Sequence, residues 1–263
     1  MPEVSEQTTP RSERILRELR QRGTVSVEHL CELLEVSVAT VRRDLQELED
    51  EGMLRRTRGG AVSIEPLFYE PFRHDSSFQE QIGRHADEKR RIAQAAADLV
   101  RDGETIALTA GTTTTEVVRS IRNHAGVTVV TSTVNVAMEL SKRKDIEVFV
   151  TGGFLRGDWF SLVGPAAGRA MSQINVDKAF LGVNGISAQK GLTSANSGEA
   201  AINRIIVDQA KQRIVVADHS KLGAVSTYRF CETNEIHILI TDTTATEDAT
   251  APFAKLGIEV RRV

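Results

Sequence analysis

From Thr105 to the C-terminus, short apolar runs alternate with stretches of helical spacing, and no other feature narrows the possible folds of this chain so far. The runs are Thr105–Leu108, Val127–Val130, Ile146–Val150, Ala179–Val183, Ile214–Ala217, Ile236–Thr241 and Glu259–Val263. A helix carrying Ile82, Ile92, Ala96 and Leu99 precedes them from about Phe78. Strand and helix alternation of this kind predicts an α/β domain with a mostly parallel, Rossmann-like sheet covered by helices on both faces.

In such sheets a ligand crevice lies beyond the carboxyl ends of the strands, so the loops there are the place to look for chemistry. Four stand out. Ala110-Gly111-Thr112-Thr113-Thr114-Thr115 follows the first strand and opens a helix, so backbone N–H groups and hydroxyls could cradle a phosphate. Thr131-Ser132-Thr133-Val134-Asn135 follows the second strand, and Thr151-Gly152-Gly153 the third. Asp218-His219-Ser220-Lys221 follows Val216-Ala217 and places a cation where an anionic ligand needs one. Ordinary helix capping explains any one of these loops; their recurrence at the same end of successive strands gives them weight together. His219 beside Asp218 invites a catalytic reading, but a histidine near a loop is more often a polar neighbour.

The first sixty residues have a different texture. Ser12 can cap a helix with Ile15, Leu16 and Leu19 on one side, ended by Gly23; Val27, Leu30, Leu33 and Leu34 mark a second; Ser37 caps a third. In the third, Val38, Val41, Leu45 and Leu48 form an apolar stripe, and Ala39, Thr40, Arg42, Arg43 and Gln46 occupy the other side. A short capped helix with small and hydroxyl residues early and paired arginines behind suits a major groove. The run Leu54 to Val62 then predicts a hairpin, with Gly59-Gly60 at its turn and Arg55, Arg56 and Arg58 projecting. A small helical bundle with a solvated arginine face is the plainer alternative. Between Ser63 and Ser77, Pro66 and Pro71 break regular structure while Phe68, Tyr69 and Phe72 ask for burial, as in a docked linker. The expected division is therefore 1–62, a winged helix-turn-helix domain; 63–77, a linker; and 78–263, the α/β domain.

The net charge of −3 argues on its face against a nucleic-acid partner. Its distribution matters more: Arg11 to Val62 carries ten arginines, no lysine and ten carboxylates, and five of the arginines fall late. Screening confines fields to about 8–10 Å, so a local cluster can still bind phosphate. Cys31 and Cys231 lie far apart and lack ligand spacing, which predicts neither a disulfide nor a metal site. No window approaches the ~20 apolar residues of a membrane helix and the first twelve residues are polar, so the expectation is a cytoplasmic protein without a membrane anchor.

The run Ser37-Val38-Ala39-Thr40-Val41-Arg42-Arg43-Asp44-Leu45, continued by Glu51-Gly52-Met53-Leu54 and Arg56-Thr57-Arg58-Gly59-Gly60-Ala61, resembles the signature of the DeoR family of bacterial sugar-metabolism regulators. The resemblance runs over nearly the whole chain. It implies a DNA interface at Ser37, Ala39, Thr40, Arg42, Arg43, Arg55, Arg56 and Arg58, with Asp44 in a salt bridge to a neighbouring arginine. It also implies a C-terminal sensor similar in fold to ribose-5-phosphate isomerase. Its sugar-phosphate pocket or walls would comprise Gly111, Thr112, Thr113, Thr114, Thr131, Ser132, Thr133, Asn135, Gly152, Gly153, Asp177, Gly182, Glu199, Asp218 and Lys221. Asp177 could face a sugar hydroxyl or make a structural hydrogen bond at a strand start. Where many members of the family carry an acid before Gly-Thr-Thr, this chain has Ala110, so it offers no carboxylate there to a ligand hydroxyl or amine. Stretches such as Thr133–Ala137 and Gly191–Ser194 resemble the amino-sugar and N-acetylgalactosamine operon repressors.

The expected function is a ligand-switched repressor that is not an enzyme and needs no cofactor. Its partners would be double-stranded operator DNA, a phosphorylated sugar effector and further copies of itself, as a dimer or tetramer. Small modules contact too few bases alone for tight binding. The rival is a sugar-phosphate isomerase using Glu199 or Asp218 as base; an activator, or a sensor of unphosphorylated sugar, would keep the same architecture.

Overall fold

The computed structural model describes residues 11–50, 54–63, 81, 83–122, 124–141 and 143–263, and the chain divides into two compact units, 1–74 and 75–263. Most of the expected linker, with Phe68, Tyr69 and Phe72, lies outside the described residues, as does Ile82.

The first unit begins with α1 (Arg11–Arg22), β1 (Thr24–Ser26), α2 (Val27–Leu34) and α3 (Val38–Asp50), followed by the strands β2 (Leu54–Thr57) and β3 (Gly60–Ser63). Gly23 ends α1 in a left-handed conformation, its N–H reaching the Leu19 carbonyl at 2.8 Å. Ser12 lies inside the first turn of α1 rather than capping it, because the helix already starts at Arg11. Ser26 caps α2 by accepting the His29 N–H at 3.1 Å; Ser37 does the same for Thr40 at 3.2 Å. Ile15, Leu19, Leu30, Leu34, Val41, Leu45, Leu48, Leu54 and Ala61 pack into one core. Val38 departs from its expected place in that stripe: it is 45% exposed, and the buried face of α3 begins one turn later at Val41. The three strands pair antiparallel in the order β1-β3-β2. Thr57 pairs with Gly60, so the hairpin turn is Arg58-Gly59 rather than the two glycines.

In the second unit, helical residues at 81 and 83 are followed by a turn at Arg84-His85, which interrupts the helix expected from about Phe78. Then come α4 (Ala86–Ala97), β4 (Thr105–Leu108), α5 (Thr112–Ser120), β5 (Val127–Thr131), α6 (Val134–Leu140) and β6 (Ile146–Val150). A hairpin of β7 (Phe154–Arg156) and β8 (Ser161–Val163) follows, then α7 (Pro165–Met171) and β9 (Val176–Leu181). Next come β10 (Gly185–Ser187), β11 (Gly191–Ser194), α8 (Ser197–Gln209), β12 (Ala210–Val216) and β13 (Tyr228–Cys231). The chain ends with β14 (Ile238–Thr241), α9 (Glu247–Ala254) and β15 (Glu259–Arg262).

Seven strands form one sheet in the order β15-β14-β12-β9-β4-β5-β6, every neighbouring pair parallel. All seven apolar runs read from the sequence are in it. Successive strand residues point to opposite faces, and in the inner strands both faces are largely buried. Ile106, Leu108, Phe180, Ile214 and Ile240 pack under Ile92, Ala96, Val117 and Val136 on one side. Ala107, Ala179, Leu181, Val215 and Leu239 pack under Met171, Ile206 and Phe253 on the other. The hairpin β7–β8 and the small antiparallel sheet β10-β11-β13 were not legible as strands. No helix among the described residues is long and apolar enough to cross a membrane.

Candidate functional site

From β4 the chain steps outward through β5 to β6; it then crosses to β9 and steps the other way through β12, β14 and β15. The direction of winding therefore reverses between β4 and β9, where the loops leaving the two carboxyl ends must part and open a crevice. A cleft of about 220 Å³ lies there.

The β4 side of the cleft is the turn Ala110-Gly111 and the first residues of α5, Thr112 and Thr113. Gly111 (φ 155°) is the N-cap of α5, and no side chain caps that helix, so its leading N–H groups are open to an acceptor. Thr114 turns its hydroxyl back to the Thr109 carbonyl at 2.8 Å, holding the turn rather than facing the cleft. On the β9 side, the Gly182 N–H donates to Thr109 Oγ1 at 2.8 Å, which ties the two loops together beneath the opening. Val183 and Asn184 continue that wall.

Glu199 enters from the first turn of α8, where Asn196 caps the helix by accepting the N–H groups of Gly198 (2.9 Å) and Glu199 (3.1 Å). Its carboxylate accepts the Ser161 hydroxyl at 2.7 Å and that of Ser194 at 3.4 Å, and Arg156 stands 3.5 Å away. Lys221 closes the β12 side, and Lys89 reaches in from α4. Among the described residues the lining thus carries Lys89, Arg156 and Lys221 against the single carboxylate of Glu199. Burial pushes the Lys89 pKa down, partly offset by the nearby Asp218 carboxylate.

Of the residues assigned to the pocket from sequence, Gly111, Thr112, Thr113, Gly182, Glu199 and Lys221 line this cleft. The Thr131–Asn135 loop does not. Thr131 and Thr133 pair their hydroxyls at 2.7 Å, the Ser132 carbonyl accepts the Leu162 N–H at 2.6 Å, and Asn135 Nδ2 donates to Thr115 at 2.8 Å. That loop stands one strand outward of the winding reversal, and these bonds tie it to α5 and the β7–β8 hairpin. Gly152 and Gly153 turn the chain from β6 to β7; a Cβ on Gly153 would fall 2.7 Å from the Val163 carbonyl oxygen.

Asp177 stands at the amino end of β9, the opposite edge of the sheet from the cleft, accepting the Thr105 N–H at 3.0 Å and Lys211 Nζ at 2.7 Å. The Lys211 hydrogen bond holds its carboxyl below the usual range. Of the two readings of Asp177, these bonds match the structural hydrogen bond at a strand start. Asp218 is buried and accepts the Ser220 N–H at 3.0 Å, capping the turn that positions Lys221. His219 is oriented by the buried Asp242, at 3.0 Å from Nδ1.

Lys89, Arg156, Trp159, Asn184, Ser194 and Asn203 line the cleft without having been read from the sequence. Lys89 alone left a signal: it occupies the apolar face of α4, one turn before Ile92 and Ala93, where a lysine is out of pattern. Arg156 and Trp159 belong to the hairpin whose strands carried no alternation to find.

In the first unit, Ala39, Arg42 and Arg43 are exposed along α3, as are Arg55 in β2 and Arg58 in the turn. Ser37 and Thr40 pair hydroxyls at 2.9 Å within the helix cap. Arg56 departs from the expected outward projection. Adjacent strand residues face opposite ways, and its guanidinium is drawn onto α3 by Gln46 while its backbone N–H meets Glu49 at 2.8 Å. Asp44 is buried and bridges to Arg11, the Nε–Oδ2 distance being 2.9 Å.

The family model of the DeoR-like helix-turn-helix domain matches residues 11–66, and that of the DeoR C-terminal sensor domain matches residues 84–243. The chain is 39% identical over 228 residues to the HTH-type transcriptional repressor GlcR of Bacillus subtilis (strain 168), covering 87% of this chain and 86% of that one. It is 34% identical over 260 residues to a relative from Escherichia coli O157:H7 named for transcriptional repression of the aga operon, covering 96% and 93%. Among solved structures, a ribose 5-phosphate isomerase A from Methanocaldococcus jannaschii aligns with 52% of this chain and 54% of its own at a TM-score of 0.39 and 20% identity. With both family domains matched in order and relatives aligned along nearly its whole length, the chain belongs to the DeoR family of helix-turn-helix proteins with a C-terminal sensor domain.

Proposed function

We propose that this protein represses transcription of a sugar-catabolism operon and leaves its operator when a phosphorylated sugar fills the cleft between β4 and β9. The observation that carries the reading is the cleft itself: an uncapped helix N-terminus with Lys89, Arg156 and Lys221 around it, and one serine-held carboxylate opposite. Dipole and cations suit a phosphate dianion, while a fixed carboxylate with Asn184 and Asn203 suits sugar hydroxyls. Gly111, Thr112, Thr113 and Lys221 take the phosphate in this reading, and Glu199 takes the sugar. Ala39, Arg42, Arg43, Arg55 and Arg58 meet double-stranded DNA, and two or more copies of the chain supply paired half-site contacts.

A regulator is favoured over an isomerase by the names of the relatives, which are transcriptional repressors, and by the commitment of Asp218 to its Ser220 cap. The test is fluorescence anisotropy on a duplex that the full-length protein selects from a random pool. Glucose 6-phosphate, galactosamine 6-phosphate, fructose 1-phosphate, ribose 5-phosphate and inorganic phosphate are titrated in turn. At least one sugar phosphate should weaken duplex binding tenfold or more. Binding unaffected by every one, or turnover of any of them, would overturn the proposal.

A further inference from the structure

Lys89 is buried in α4 at 3% exposure, yet no carboxylate among the described residues is bonded to it. Its ammonium donates instead to the backbone carbonyls of Gln81 and Arg84, and its backbone N–H donates to the His85 carbonyl at 2.9 Å. An ammonium can donate three hydrogen bonds, and neutral carbonyls are weak compensation for burying its charge. The charged groups around it are Asp218, Lys221, Glu116 and Glu88, with Lys221 opposing and the acids favouring its protonated form.

The turn it holds is placed where the chain enters the sensor unit, directly after residues 64–80 that lead from the helix-turn-helix module. His85 takes a left-handed conformation there (φ 54°) and sets its ring edge-on to His219, centroids 4.6 Å apart. The same lysine and Gln81 line the cleft. One side chain therefore faces two competing sets of acceptors.

We infer that Lys89 is the positioning residue through which the cleft acts on the incoming chain: without ligand its ammonium holds the Gln81 and Arg84 carbonyls, and with an anion bound it turns to the anion and releases them. This rests on the sugar-phosphate reading of the cleft and adds the point at which the signal leaves it. A phosphate dianion is a stronger acceptor than a peptide carbonyl. A ligand shifts a conformational equilibrium only by binding its two states unequally. The two carbonyls leave one N–H of the ammonium over, so an anion that takes more than that one draws the ammonium off the carbonyls and creates the inequality.

The experiment is hydrogen–deuterium exchange on the full-length protein, reading peptides that span residues 81–87. It is run with and without the compound of the panel above that most raises the melting temperature. Exchange in that segment should accelerate about tenfold on saturation while the α8 amides near Glu199 slow. Lys89→Met should exchange fast there in the absence of ligand and gain nothing on its addition; Lys89→Arg should keep the response. If ligand raises the melting temperature but leaves exchange at 81–87 unchanged or slower, or if Lys89→Met responds as the wild type does, the coupling role is overturned and the sugar-phosphate reading survives. If no sugar phosphate raises the wild-type melting temperature, that reading fails and takes the coupling with it. Lys89→Met folding poorly leaves the wild-type exchange result decisive.

Discussion

Gly60 passes so close to β1 that a Cβ placed on it would lie 1.9 Å from the carbonyl oxygen of Val25. The approach lets β3 pair with β1 as well as β2, so the hairpin is sealed onto the helices instead of hanging free. Since the obstacle is backbone, it cannot swing aside. Gly60→Ala should destabilise the helix-turn-helix unit by about 1–3 kcal/mol, the usual cost of overpacking a fixed site. Thermal unfolding would show an early transition with the sensor transition unmoved; an unshifted profile would mean that β1 and β3 are not paired so tightly.

Arg42 and Arg43 stand exposed on α3 beside Ala39. Arg42→Ala and Arg43→Ala should each weaken duplex binding about tenfold, or 1.4 kcal/mol. An arginine that no longer neutralises its phosphate should flatten the dependence of log affinity on log salt by about 0.9. Arg56→Ala should cost less affinity, because Gln46 already holds that guanidinium. Anisotropy titrations between low and physiological salt check the ranking; an Arg56 effect larger than that of Arg42 would reverse it.

Glu199→Gln keeps the shape of the side chain and removes its charge. Its acceptors for Ser161 and Ser194 are weakened, and in the proposed binding mode it loses a strong acceptor for sugar hydroxyls. Affinity for the active sugar phosphate should fall about tenfold, while inorganic phosphate, freed from a like charge, should bind no worse. Calorimetry on both ligands distinguishes a sugar contact from a general collapse of the cleft, which would weaken both together.

The bridge from Arg204 to Glu235, 2.8 Å between Nη2 and Oε1, makes a pH prediction. Arg204's hydrogen bond holds the Glu235 carboxyl at about 2, below its ordinary 4.5. A depressed carboxylate pKa stabilises the fold above the unfolded value, and that contribution fades as pH drops through the folded one. Glu235→Gln should therefore lower the melting temperature at pH 7, with the gap to wild type narrowing from pH 4.5 toward 2. A gap constant over that range would exclude the ion pair as its cause.

Much of the fold was legible because local rules sufficed. The inner strands of the sheet announce themselves as apolar runs, since a parallel strand buried on both faces is largely apolar, whereas the edge strand β15 is partly exposed and three of its four residues are charged. Gly23 and Ser37 mark helix ends by backbone chemistry that works at short range, while the cap of α2, Ser26, was not read from the sequence. The strands of the β7–β8 hairpin and of β10-β11-β13 are short and interrupted by glycine or polar residues, as in Gly191-Leu192-Thr193-Ser194, so no apolar run marks them. Asp177, open in the sequence between a sugar contact and a structural bond, shows a second limit: a carboxylate next to a strand has the same sequence at either edge of a sheet.

The order of apolar and polar residues along the chain determined by itself that there is a helix-turn-helix followed by an α/β sheet, because periodicity and capping act between near neighbours. Which loops share a cleft was decided only in three dimensions. Gly111 and Gly182, 71 positions apart by their numbers, meet because the winding reverses between β4 and β9. The Thr131–Asn135 loop, closer in sequence to Gly111 than Gly182 is, falls one strand too far out and is covered by a hairpin. Strand order depends on the packing of the whole sheet, and no local pattern encodes it.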